Sequence, residues 1–284
     1  MTVRIVTDST CDLPAWVISR YGICVVPLYI NVGSQGYLDG IDMTRDEFYT
    51  KLPTFPVQPT TAVPSIQKFR AIYDALADEG AKEVLSIHIS TSLSGIVNVA
   101  QVAARETASV PVTVFDSRQL SLGTGFLVET AARLAQAGSR VPEILAELNE
   151  QIKRTRVFAA LETLRFLRRS GRMNSVVSTI GELLQIKPLL KMYDGKASAE
   201  RVRTRNHAMQ RLVELLREFG PYEKVALFHS DAAARARELL QEVKDILPDG
   251  EIWFQQLNPA LGAHIGPGVV GFACVSKRVV EEKS

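Results

Sequence analysis

Apolar stretches of strand and helix length alternate along the first half of the chain, separated by short polar breaks. Val3–Thr7 (VRIVT) reads as a strand ending on Asp8-Ser9, and Pro14 then opens a helical pattern, a place that suits a residue without a backbone N–H. Cys24–Asn31 (CVVPLYIN) reads as a second strand, Lys82–Ile89 (KEVLSIHI) as a third and Val112–Phe115 (VTVF) as a fourth. Helical periodicity follows Pro64 and Ser94 and covers Leu127–Ala137. Strands separated by helices predict an α/β fold with a mostly parallel sheet. Ligands of such sheets gather outside the carboxyl ends of the strands, which is where Asp8-Ser9, Ser90–Gly95 and Asp116-Ser117 fall.

Lys51–Pro64 (KLPTFPVQPTTAVP) breaks the rhythm with four prolines. It is expected to be extended and stiff, neither regular helix nor central strand, and able to cover a pocket. The second half opens with Val157–Leu161 (VFAAL) and a basic segment, followed by helix-like Val176–Leu184. Lys191–Arg203 reads as a hairpin about Asp194-Gly195, a strong type I′ signal. Helix and strand then alternate as Arg205–Phe219 with Lys224–His229 and Ala232–Ile246 with Glu251–Gln256, and Val269–Val275 closes the pattern. A length of 284 residues suits two domains. They are placed at 1–160 and 161–284. The apolar side chains of Val176–Leu190, with the later strands, are expected to line a tunnel.

Composition changes this picture little: 46% hydrophobic and 23% charged residues describe a folded globular chain. No apolar run approaches the ~18 residues of a membrane span, and the N-terminus lacks a leader pattern, so a cytoplasmic protein is expected. Cys11, Cys24 and Cys274 are far apart, with no CxxC spacing, and read as buried free thiols. Charge is more informative. The net is +2, yet Gln151–His207 carries thirteen Lys or Arg against four Asp or Glu, so this stretch holds +9 and the remainder −7. A solvated helical face accounts for that; so does an anionic partner.

Two segments could carry chemistry. Ser90-Thr91-Ser92-Leu93-Ser94-Gly95 lies between a strand and a helix, so hydroxyls and free N–H groups meet at a helix N-terminus and can cradle an anion; a routine N-cap is the plainer account. Gly262-Ala263-His264-Ile265-Gly266-Pro267-Gly268 sets a histidine in a glycine-rich turn, where it can hydrogen-bond an anion or titrate near neutrality. His88, His207 and His229 read as structural or surface residues. No GxSxG elbow or P-loop is present, and Gly33–Gly40 lacks the setting of a dinucleotide fingerprint. Asp8, Asp12, Asp39 and Asp42 could hold a metal through oxygen. A metal-dependent hydrolase or phosphatase, and a nucleotide- or nucleic-acid-binding module, therefore stand as alternatives.

Taken in order, the segments resemble the DegV family of bacterial fatty-acid-binding proteins over roughly residues 3 to 278. The motifs are Val6-Thr7-Asp8-Ser9, Val26-Pro27-Leu28, Tyr37-Leu38-Asp39-Gly40, Thr61-Ala62-Val63-Pro64-Ser65, Ser90–Gly95 and Asp116-Ser117. Leu167-Arg168-Arg169-Ser170-Gly171-Arg172, Lys187-Pro188, Arg203-Thr204 and Gly262–Gly268 complete the set. Ala62 and Val63 replace the middle of the family's usual Thr-Ser-Gln-Pro-Ser, and Ile96-Val97 stand where Thr-Tyr is common, which bears on acyl-chain preference.

The resemblance implies a two-domain α/β fold with a mostly parallel N-terminal sheet, a second α/β domain and one long-chain fatty acid between them. It implies that Thr61, Ser94 and His264 contact the carboxyl group, with the Gly95 N–H assisting, and that Arg172 and Arg203 face a phosphate or partner. That partner would be a dihydroxyacetone-kinase-like fatty acid kinase which phosphorylates the bound acid. The chain itself would be a carrier without catalytic residues, cofactor or metal, with no nucleic-acid partner and at most transient contact with a membrane surface.

Overall fold

The computed structural model describes residues 2–173 and 187–278. The expected helix at Val176–Leu184 lies outside them. In chain order the first half runs β1 (Val3–Asp8), α1 (Ala15–Tyr21), β2 (Cys24–Val26), β3 (Tyr29–Val32), β4 (Gln35–Leu38), α2 (Arg45–Lys51), β5 (Thr60–Ala62), α3 (Ile66–Asp78), β6 (Glu83–His88), α4 (Ile96–Glu106), β7 (Val112–Asp116), α5 (Ser121–Gln136) and α6 (Val141–Ile152). The second half contains β8 (Thr155–Ala160), α7 (Arg165–Arg169), β9 (Lys187–Tyr193), β10 (Lys196–Val202), α8 (Arg205–Glu218), β11 (Tyr222–His229), α9 (Ala233–Glu242), β12 (Trp253–Gln256), α10 (Pro259–Ile265) and β13 (Val270–Ser276).

β1, β2, β6 and β7 form a four-stranded parallel sheet in the order β2-β1-β6-β7. Helices cover its central strands, so β1 and β6 are buried along nearly their whole length, as strands with two covered faces must be. The second half builds a six-stranded mixed sheet in the order β10-β9-β8-β13-β11-β12. Its β9–β10 hairpin turns on Asp194 and Gly195, both with positive φ as a type I′ turn requires.

Two expectations need correction. Cys24–Asn31 is not one strand: it is β2 and β3, which belong to different sheets. Pro27 has no N–H to continue the parallel ladder, and the chain leaves β2 to enter a small antiparallel sheet, β4-β3-β5. The glycine-rich segment around His264 is also not simply a turn, because Gly262–Ile265 is the last part of α10. The proline-rich segment ends in β5, an edge strand beside β3, a place where prolines around a short strand do no harm. Strand β8, placed by sequence at the end of the first domain, pairs with β9 and β13 in the six-stranded sheet.

Candidate functional site

Helix α10 sets the geometry of the site. Asn258 caps it by accepting the Leu261 N–H at 2.9 Å, and Pro259 takes the first helical position. A Cβ on Gly262 would lie 2.7 Å from both the Phe48 ring and the Tyr49 hydroxyl, so glycine lets α10 press against α2. Gly266 ends the helix at φ +77°, and a Cβ there would lie 2.4 Å from the Phe166 ring. The last turn between these glycines carries His264.

Thr61 of β5 meets that histidine: Thr61 Oγ1 and His264 Nε2 are 2.8 Å apart although 203 residues separate them in sequence. The other ring nitrogen, Nδ1, is buried and has no hydrogen-bond partner among the described residues. Burial, and then the nearby Arg172 charge, push the His264 pKa down from 6.5 to about 4, so the ring is neutral at neutral pH. In one tautomer Thr61 donates to Nε2 and Nδ1 carries a free N–H. In the other Nε2 donates to Thr61, and Nδ1 accepts while the threonine hydroxyl proton is free. Both arrangements leave a donor for a carboxylate.

His264 also lines an apolar cavity of about 90 Å³ between the two large sheets. Ile89, Leu93 and Leu120 supply the wall from the first half; Val157, Leu190 and Met192 are among those from the second. Arg172 and Lys191 are its charged members. Arg172 donates to the Ser170 carbonyl at 2.8 Å.

Ser94 follows the wall residue Leu93 in the chain, and its hydroxyl accepts the Ile96 N–H at 3.3 Å. Gly95 is the N-cap residue of α4, and nothing lies within 4 Å of where its Cβ would be. Arg203 is exposed at the end of β10 and is not among the cavity-lining residues. The structure thus joins Thr61 to His264 directly, puts His264 and Arg172 on one cavity, and leaves Ser94 and Arg203 out of its lining, with Arg203 on the surface. Sequence reasoning missed Gln58, whose Nε2 donates to the carbonyls of Ala263 (3.3 Å) and Phe166 (3.4 Å) and ties the proline-rich loop to α10. Its place in an irregular loop gave no periodic signal.

Two other groupings invite a catalytic interpretation. Ser86 Oγ, His88 and Asp8 form a relay, with 2.7 Å from Ser86 to Nε2 and 2.9 Å from Nδ1 to Asp8. All three are fully buried, and Ser86 also accepts a bond from the Tyr73 hydroxyl, so the relay is closed on protein groups. The aspartates considered as metal ligands are engaged by protein groups: Asp12 by Asn258 and Ser121, Asp39 by Ser9, and Asp42 by the Leu38 N–H. Among the described residues no three His, Cys, Asp or Glu side chains are disposed to hold a metal ion.

Part of the basic stretch is paired. Glu162 binds Lys187, Arg205 and Arg235 together, and despite partial burial these cations hold its pKa down at about 2. Glu200 binds Lys191 and Arg211. Arg165, Arg168, Arg169, Arg201 and Arg203 make no ion pair among the described residues.

The family model described as "Uncharacterised protein, DegV family" matches residues 2–277. The chain belongs to the DegV family. A DegV domain-containing protein of Streptomyces coelicolor is 35% identical over 280 residues, covering 97% of this chain and 99% of the relative. Among solved DegV structures, one from Thermus thermophilus described by its fatty acid binding superposes with a TM-score of 0.88 at 35% identity, covering 98% of this chain and all of the other. The Bacillus subtilis DegV structure, described as a fatty acid binding protein, gives 0.90 at 30% identity, covering 97% of this chain and all of the other. The two-domain α/β architecture with its parallel sheet is therefore the DegV fold.

Proposed function

We propose that this protein binds one long-chain fatty acid, with the acyl chain in the cavity between the sheets and the carboxyl group at Thr61 and His264. What carries this reading is the Nδ1 of a neutral histidine, without a partner among the described residues, in the wall of a mostly apolar cavity. A buried polar atom left without a partner costs ~1–3 kcal/mol, and a ligand oxygen there removes that cost. Burial of a methylene contributes about 0.8 kcal/mol, so a sixteen-carbon tail offers on the order of 10 kcal/mol before ordering costs. The cavity, at about 90 Å³, is tighter than the usual ligand pocket. A long chain therefore enters by turning wall side chains aside, and flexible Met192 is suited to that.

Ser94 and the Gly95 N–H complete the carboxyl site, while Arg172 supplies the compensating charge that a buried carboxylate needs. The protein acts as a carrier: a dihydroxyacetone-kinase-like fatty acid kinase phosphorylates the presented carboxyl, and Arg203 on the exposed basic face meets that kinase. Fluorescence titration with a polyene fatty acid tests the binding site. Thr61→Val and His264→Ala should each weaken binding about tenfold or more, the worth of a hydrogen bond to a charged group. Affinity unchanged in both variants would remove the carboxyl group from this site.

A further inference from the structure

The helix that carries His264 is held at its other end by a carboxylate from the first half of the chain. Asp12 lies in the turn between β1 and α1, buried, with the unusual φ of +52°. Its Oδ1 accepts both the backbone N–H of Asn258 at 2.9 Å and the Asn258 side-chain amide at 3.0 Å. Its Oδ2 accepts the Ser121 hydroxyl at 2.7 Å. Asn258 is itself the N-cap of α10, so one side chain grips Asp12 with its amide and the helix with its carbonyl. Arg45 of α2 stands 3.4 Å from Asp12 and also donates to the Gln256 carbonyl, fixing the strand end that leads into the helix.

Burial raises the Asp12 pKa, against the help of Arg45, Ser121 and Asn258, so Asp12 is held in this contact at a desolvation cost. It also joins the two halves of the chain within one short helix of the ligand contact. We infer that Asp12, acting through Asn258, is a positioning residue for His264, setting the register of α10 so that the imidazole meets Thr61 and the cavity. This inference rests on the proposed carboxyl site. Its test is arranged so that the two can fail separately.

Three variants serve: Asn258→Ser, which keeps a capping oxygen but loses the amide to Asp12; Asn258→Asp, which sets two carboxylates against each other; and Asp12→Asn with Asn258→Asp, which restores one donor and one acceptor. The first readout is the titration of the His264 ring by nitrogen-15 NMR without lipid, with the thermal midpoint measured alongside. In Asn258→Ser and Asn258→Asp the loosened helix admits water, and the His264 midpoint should move from about 4 toward 6.5. In the exchanged pair it should return toward the wild-type value. The second readout is fatty acid affinity, which should fall about fivefold or more in the two single variants and recover in the exchanged pair. A His264 titration unchanged in both single variants, whatever happens to the thermal midpoint, overturns the positioning role. Absence of fatty acid binding by the wild type, with the titration moving as stated, would instead defeat the carboxyl-site reading and leave the positioning intact.

Discussion

His264 and Asp39 carry opposite responses to pH. Burial and Arg172 lower His264 from 6.5 to about 4. The unfolded chain therefore takes up a proton that the native state refuses. Stability from this group is complete above pH 6.5 and falls as pH drops toward 4. Asp39 is raised from 3.8 to about 7 by burial, with Asp12 adding to the effect and Ser9, Arg45 and the Ala260 N–H opposing it. Here the native state keeps a proton that the unfolded chain releases, so the contribution is complete below 3.8 and lost as pH rises toward 7. Between these limits the two terms offset one another. Asp39→Asn removes the falling term, and its stability relative to wild type should rise with pH by on the order of 2–4 kcal/mol, each tenfold in proton affinity being worth about 1.4 kcal/mol. Urea unfolding from pH 4 to 7.5 measures this, and a difference that stays constant with pH would contradict it. The sequence singled out Thr61 and His264 through their family motifs. It had no means of showing that Asp12 reaches Asn258 across 246 positions, because neither residue lies in a periodic pattern and only the packed fold brings them together.

At the scale of elements, regular patterns were legible and close contacts were not. Short apolar runs of strand length located β1, β6, β7 and β13, and Asp194-Gly195 located the β9–β10 hairpin, since covered strands and positive φ leave direct marks on sequence. Cys24–Asn31 misled because its apolar run hides the step at Pro27 from one sheet to another. Gly262–Gly268 misled because two of its glycines answer to neighbouring rings rather than to a turn alone. That gives a sharp test. Gly262→Ala in an ordinary helix would gain ~1 kcal/mol from propensity. Here the new methyl meets Phe48 and Tyr49, so the variant should lose about 1–3 kcal/mol, as overpacked cores do. A thermal melt decides it, and a rise in the midpoint would show that α10 is not clamped against α2. For the domain division we propose a boundary before Thr155, in place of residue 160, because the ladder partners of β8 are β9 and β13 of the six-stranded sheet.

At the scale of the molecule, the uneven charge and the buried cavity divide the proposed work between surface and interior. Arg203 is exposed and away from the cavity lining, so Arg203→Ala should leave lipid retention unchanged while slowing kinase-dependent phosphorylation, most of all at low salt, where charge steers encounter. Equal losses of lipid and phosphorylation would instead place Arg203 in the lipid site. No helix among the described residues is long and apolar enough to cross a membrane. In the proposed function the acyl chain is shielded by the cavity that His264 lines. Native mass spectrometry of the protein purified without added lipid, followed by extraction and identification of what it carries, addresses it directly. Close to one equivalent of a long-chain fatty acid per chain is expected, with much less retained by His264→Ala; wild-type protein that carries no lipid and takes up none when a fatty acid is supplied would contradict the proposed function.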